Sequence, residues 1–217
     1  MFHEMLKLWF QWVHDWHYVG VVLLMALEST ILPIPSEVVM PPAAFWAAQP
    51  EGRMTFWGVV LAGTVGSYIG STINYWVSQW IGLPLLRRYG KYVFVSEHKI
   101  DAAHAWAARY GAAGVFWARM LPVFRHLISI PAGILAMPFG KFSLATITGS
   151  ALWCTILAWW GQRVLGRHPE LLNSPADMVR TIKGELLWFV LAIVGLGVLY
   201  VFVKWRWLRK HPAPAAE

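Results

Sequence analysis

Four charged residues stand inside apolar surroundings: the acids Glu28 and Glu37 in one stretch, the bases Arg119 and Arg125 in another. A charge at the centre of a bilayer costs about 2.5–3.5 kcal/mol on insertion scales, so four unpaired ones would cost on the order of 10 kcal/mol. The economical arrangement turns the two stretches toward each other, so that acids and bases neutralise or hydrogen-bond. Stability alone is a weak reason to have two such pairs, because a buried ion pair is often no better than an apolar substitute. Arginine is the side chain suited to bidentate phosphate binding. Arg119 and Arg125 flank Pro122 and share no regular helical face. A loop or broken helix would bring both to one anion, with Gly133 and half-helix N-termini adding backbone N–H donors. Glu28 and Glu37 are the candidates for proton exchange: burial penalises a carboxylate's charge, a neighbouring arginine favours it, and the balance decides whether protons come and go.

The composition says what surrounds these charges. Of 217 residues, 58% are hydrophobic and 13% charged, against about 45–50% and about 25% for a soluble domain. The balance argues against an ordinary soluble enzyme and excludes a disordered chain. The one cysteine, Cys154, rules out a disulfide framework and multi-cysteine metal sites. Tryptophan is abundant, at 15 residues, as expected where side chains sit at membrane–water interfaces. The net charge of +7 is carried by residues flanking apolar segments, a pattern for anionic lipid head groups and not for nucleic acid.

Positioning falls to a short list of elements. Residues 1–15 place Phe2, Met5, Leu6, Trp9, Phe10 and Val13 at helical spacing and read as an interfacial amphipathic helix, not a cleavable signal. The segment 18–48 is apolar but holds Glu28, Pro33, Pro35, Glu37, Pro41 and Pro42, the signature of a broken, re-entrant helix. A span over 56–82 follows, with Gly63, Gly66 and Gly70 at small-residue spacing. A basic stretch, 84–110, contains a second amphipathic helix from about Ser96 to Tyr110. The segment 111–139 repeats the interruptions with Arg119, Pro122, Arg125, His126, Pro131, Gly133 and Pro138. Pro33, Pro35, Pro122, Pro131 and Gly133 are the expected hinge and structural positions. Spans over 141–162 and 185–204 complete a single membrane domain, 1–204, and a basic tail, 205–217, closes the chain.

The predicted fold is an all-α membrane protein: two units of amphipathic helix, re-entrant broken helix and transmembrane helix, plus a C-terminal transmembrane helix. Paired broken segments in corresponding places point to a transporter substrate site. If both segments re-enter, a single span separates the units and they are inverted. Ten basic residues then fall on one side and six on the other, which puts the tail in the cytoplasm. Five plain spans with proline kinks is the competing topology.

Other residues take simpler readings. His3, His14 and His17 are interfacial polar groups, Cys154 a core residue, and Ser71 and Asn74 interhelical hydrogen-bonders. No metal site and no cofactor are expected.

Two blocks resemble the DedA membrane proteins, also called SNARE-associated or VTT-domain proteins. The first is Glu28-Ser-Thr-Ile-Leu-Pro33-Ile-Pro35-Ser-Glu37. The second is Phe116-Trp-Ala-Arg119-Met-Leu-Pro122-Val-Phe-Arg125, followed by Pro131-Ala-Gly133, Met137, Phe142, Gly149 and Trp153. The similarity covers roughly 15–165. Glu37 stands where some members have Asp, and Met120 where an aromatic is common. The resemblance implies a non-enzymatic lipid transporter or flippase of the bacterial inner membrane, carrying undecaprenyl phosphate or another phospholipid and linked to the proton motive force. It also implies that Glu28, Glu37, Arg119 and Arg125 match the family's essential charges. Passive scrambling, small-ion or proton antiport and membrane lipid phosphatase activity are the alternatives. Partners are then a phospholipid or polyprenyl phosphate, with homo-oligomer formation left open.

Overall fold

The computed structural model describes residues 2–30, 36–50, 52–82, 107, 111–121, 124–168, 181 and 184. The chain divides into two compact units, Met1–Val179 and Arg180–Glu217, and all the helices named here belong to the first. They are α1 (Phe2–Thr30), α2 (Ser36–Ala47) and α3 (Phe56–Val77, extended by a π-turn, Ser78–Gly82). After them come α4 (residues 111–119), α5 (Phe124–Leu127), α6 (Ser129–Ile134) and α7 (Phe139–Arg167). The described residues contain no strand, and the protein is an all-α membrane protein.

Among the described residues, two helices are long and apolar enough to cross a membrane: Phe56–Gly82, with 27 residues, and Phe139–Arg167, with 29. Thr55 caps the first by accepting the Gly58 N–H at 3.1 Å. Trp57, Leu61, Val65, Ile69, Ile73 and Val77 form an exposed stripe along its outer face. A row of large apolar side chains at four-residue intervals, facing away from the protein, is what lipid requires of a spanning helix. The opposite face carries the glycines. A Cβ at Gly66 would run into the Val22 carbonyl, and one at Gly70 into the Ala26 carbonyl, so α1 and α3 pack backbone against backbone. Gly70→Val is therefore expected to push the helices apart and cost about 1–3 kcal/mol. Gly140, with nothing within 4 Å of its Cβ position, should accept Ala without loss. Thermal unfolding in detergent checks both.

α1 is two arms joined at a kink. His17 has φ 51 and ψ −123, a left-handed conformation that costs a non-glycine residue about 1–3 kcal/mol. The second arm runs to Thr30, and α2 returns beside it. The Ser36 N–H donates to Glu28 Oε1 at 2.9 Å at the far end, while Trp46 packs its ring 5.2 Å from Phe10 and from His14 near the kink. These contacts make a helical hairpin whose two ends lie together. With 12 residues, α2 rises about 18 Å, well short of the ~30 Å apolar thickness of a bilayer.

Residues 111–137 form a second hairpin. A Cβ at Gly111 would lie 3.0 Å from Met137 Sδ, so its ends also meet. At its far end Arg119 Nη2 donates to Ser129 Oγ at 2.9 Å. Ala136, at φ 42, turns the chain toward α7.

α3 and α7 orient the hairpins. The first opens where α3 begins: the Thr55 N–H donates to the Tyr18 hydroxyl at 2.7 Å. The end of α7 lies there too, with Gln162 Nε2 donating to the Ala44 carbonyl at 2.9 Å. The second opens where α7 begins: the Tyr75 hydroxyl donates to the Met137 carbonyl at 2.6 Å, and the Tyr75 and Phe142 rings stack at 4.7 Å. The hairpins thus enter the α3–α7 pair from opposite ends.

Several sequence expectations take a different form. Pro41 and Pro42 do not interrupt the chain but lie inside α2. Each removes one helical hydrogen bond, yet α2 stays helical, with Pro41 pressed against Gly161 of α7. Asn74 does bond between helices, donating to the Ser29 and Thr30 carbonyls at 2.8 Å. Ser71, by contrast, bonds within its own helix, to the Ser67 carbonyl. Pro131 and Gly133 lie within α6. Pro33, Pro35, Pro122, nearly all of the 96–110 helix and the 185–204 span lie outside the described residues.

Candidate functional site

The hairpin tips meet around Glu28. This residue ends the apolar arm of α1, where the chain turns toward α2. One of its oxygens accepts the Ser36 N–H; the other accepts Arg125 Nη2 at 2.7 Å. Arg125 comes from α5, the short helix at the tip of the second hairpin. The side chains are 6% and 1% exposed, so this ion pair is removed from water and is a direct contact between hairpins. Trp153 of α7 closes one side: its ring centroid lies 5.5 Å from the Arg125 guanidinium carbon, and its Nε1 donates to Ser36 Oγ at 3.5 Å.

Arg119 reaches the same region from α4. Its stem lies against Gly149, where an added Cβ would come within 2.8 Å of Arg119 Cβ. Glycine at that position gives the guanidinium its place. Arg119 is 3% exposed and Arg125 5%. Among the described residues, Arg119 Nε and Arg125 Nη1 are buried with no hydrogen-bond partner. Buried guanidinium donors without acceptors are costly, and the two together present open donors with a strong preference for an oxyanion.

Glu37, in the first turn of α2, is 6% exposed. It makes no hydrogen bond or ion pair among the described residues. The expected two-against-two neutralisation is thus resolved unevenly: Glu28 holds Arg125, Arg119 holds only a serine hydroxyl, and Glu37 has neither arginine. The N-terminal end of α2 carries the positive end of the helix dipole, which favours a carboxylate there.

Sequence reasoning under-weighted His126. Its Nε2 lies 3.9 Å from Glu28 Oε1, with the side chain 32% exposed, so it stands at the edge of the buried cluster. Its position next to Arg125 is the signal that could have found it. Ser36 and Ser129 had no such signal, because single serines in an apolar stretch are unremarkable in sequence. Cys154 is buried, with its Sγ 3.1 Å from the Cβ position of Gly63. Among the described residues, no group of three or more His, Cys, Asp or Glu could hold a metal ion.

The VTT domain matches residues 34–163. The chain is 34% identical to undecaprenyl phosphate transporter A of Bacillus subtilis (strain 168), over 89% of this chain and 91% of that protein. It is 32% identical to an alkaline phosphatase-like protein of Lactococcus lactis subsp. lactis, over 93% of each. It is 24% identical to undecaprenyl phosphate transporter A of Staphylococcus aureus, over 93% of this chain and 96% of that protein. No solved structure matches. These matches lead to one assignment: the chain belongs to the DedA family of VTT-domain membrane proteins.

Proposed function

We propose that the protein transports a phosphate-bearing lipid across the bacterial inner membrane, with undecaprenyl phosphate or another phospholipid as cargo. The observation that carries this reading is the pair of buried arginines at the meeting hairpin tips, with Arg119 Nε and Arg125 Nη1 unpartnered. Such donors match the oxygens of a phosphate. The name of the Bacillus relative supports the cargo.

In this reading the hairpins, about 18–48 and 111–139, re-enter the bilayer from opposite faces, and α3 and α7 span it. The third span, 185–204, leaves the basic tail in the cytoplasm. A headgroup arriving at the arginines competes with Glu28 for Arg125. Two carboxylates beside one phosphate repel, so at least one of Glu28 and Glu37 takes a proton as lipid binds. Loss of that proton on the other side restores the Glu28–Arg125 contact and expels the lipid. The headgroup is moved and not hydrolysed.

Purified protein in liposomes containing a labelled polyprenyl phosphate tests the reading. Headgroup transfer between leaflets without release of inorganic phosphate is the expected result. Release of phosphate would replace transport with hydrolysis. Ion flux without lipid transfer would replace it with antiport. Arg119→Lys keeps the charge but loses the fork. A charge-assisted hydrogen bond is worth about 1.5–3 kcal/mol, so transfer should fall about tenfold or more. Transfer by Arg119→Lys at the unmodified rate would rule out fork-like recognition at that position.

A further inference from the structure

At the end of the bundle where the first hairpin opens, a cleft of about 460 Å³ lies between the α1 kink and the loop from α2 to α3. Sites for small ligands fall in the range of about 300–1,000 Å³. His14, Asp15, His17, Trp46, Gln49 and Arg53 line it. This is far along the hairpin from Glu28 at its tip, where Arg125 of the second hairpin meets it.

Among the described residues lining the cleft, one carboxylate, Asp15, and one guanidinium, Arg53, carry the charge. Asp15 Oδ1 lies 3.0 Å from His14 Nδ1, so this carboxylate already has a neighbour to engage it. Arg53 is exposed and makes no hydrogen bond or ion pair among the described residues. His17 Nδ1 is buried without a partner. The His17 backbone is also strained, at φ 51 and ψ −123, where glycine would sit at ease. Residues held in such conformations cluster at ligand sites. Beside the cleft, the Tyr18–Thr55 hydrogen bonds are flanked by Val19 and Trp57, 60% and 65% exposed. A ligand in the cleft therefore has an apolar outer surface next to it.

We propose that this cleft is a docking site for the phosphate headgroup of a membrane lipid, held by Arg53 and His17, with its chain lying along the exposed face of Val19 and Trp57. The site rests on the lipid-transport reading and adds to it a first stop outside the hairpin tips. Arg53 supplies the charge, and the imidazole a hydrogen bond now unmade. The strained kink fixes the direction of that imidazole.

The test uses the full chain in phosphatidylcholine nanodiscs with a dodecyl phosphate that carries a photoreactive diazirine next to the headgroup. Adducts are located by mass spectrometry. Labelling of the peptides around 14–17 and 46–54 is expected. Excess dodecyl phosphate should compete it away; dodecanol and equimolar inorganic phosphate should not. Arg53→Ala and His17→Gly should each lower that labelling about tenfold, the scale of one lost charge-assisted contact. His17→Gly should do so without lowering the unfolding temperature, because glycine relieves the kink. Labelling confined to 119–129 would overturn the docking site and leave transport standing. Absence of labelling anywhere would overturn the docking site, whereas a transport measurement decides the other reading separately. Full competition by inorganic phosphate would overturn a lipid as the ligand. Unchanged labelling in His17→Gly and Arg53→Ala would overturn the residues' assigned roles.

Discussion

Arg125→Ala is expected to deplete folded protein sharply, and Glu28→Gln combined with Arg125→Met to recover it without recovering lipid transport. The single substitution leaves the Glu28 carboxyl in a position 1% exposed without its arginine, with the Ser36 N–H as its hydrogen-bond donor and His126 Nε2 3.9 Å away. Removing one partner of a buried pair costs about 3–5 kcal/mol, because the other charge stays buried and uncompensated. That is a large part of the roughly 5–15 kcal/mol that holds a domain folded. The double replacement removes both charges. Glutamine can still accept the Ser36 N–H, and methionine fills the space beside Trp153 with an adaptable apolar chain. Detergent-solubilised yield and unfolding temperature report the first effect; leaflet-to-leaflet lipid transfer reports the second. If the double variant folds and transports normally, the ion pair is structural and the phosphate binds elsewhere. If it folds no better than Arg125→Ala, the loss of Arg125 acts through something other than an orphaned Glu28.

Glu37→Gln should separate coupling from folding even more cleanly. Glu37 is buried yet makes no ion pair among the described residues. Neutralising it removes a desolvated charge and breaks no bond, so unfolding temperature should hold or rise. Lipid binding should also persist, because both arginines remain. What should disappear is the response of transport to an imposed proton gradient, since one of the two carboxylates that could take a proton beside the phosphate is gone. The measurement is lipid translocation in proteoliposomes with and without a gradient, for unmodified protein and for Glu37→Gln. Equal rates in both conditions for the unmodified protein would make passive scrambling the better description. A Glu37→Gln protein that still follows the gradient would shift coupling to Glu28 or to His126.

Much of this molecule is written in local sequence. Absence of charge and helical length mark 56–82, which α3 and its π-turn occupy, because a spanning helix must satisfy its backbone internally and present apolar side chains along its whole length. The helix after the second hairpin was expected over 141–162 and runs over Phe139–Arg167; its basic end was read as loop because polar residues carry no span signal. The four buried charges were legible for a simpler reason: in apolar company a charge stands out, whatever the fold.

What local sequence could not supply is who meets whom. Proline marks were read as breaks, yet Pro41 and Pro42 lie within α2; packing against Gly161 holds a helix that propensity alone would end. The kink at His17 had no sequence signal, since the residue is not glycine. Two acids and two bases suggested two pairs. Only the tertiary structure gave Arg125 to Glu28, left Glu37 apart and set Arg119 against Ser129. Those partnerships depend on hairpins entering from opposite ends and on glycines, 66, 70 and 149, that decide how closely the backbones approach. Distances between residues 97 positions apart in the chain are properties of packing, and no periodicity encodes them.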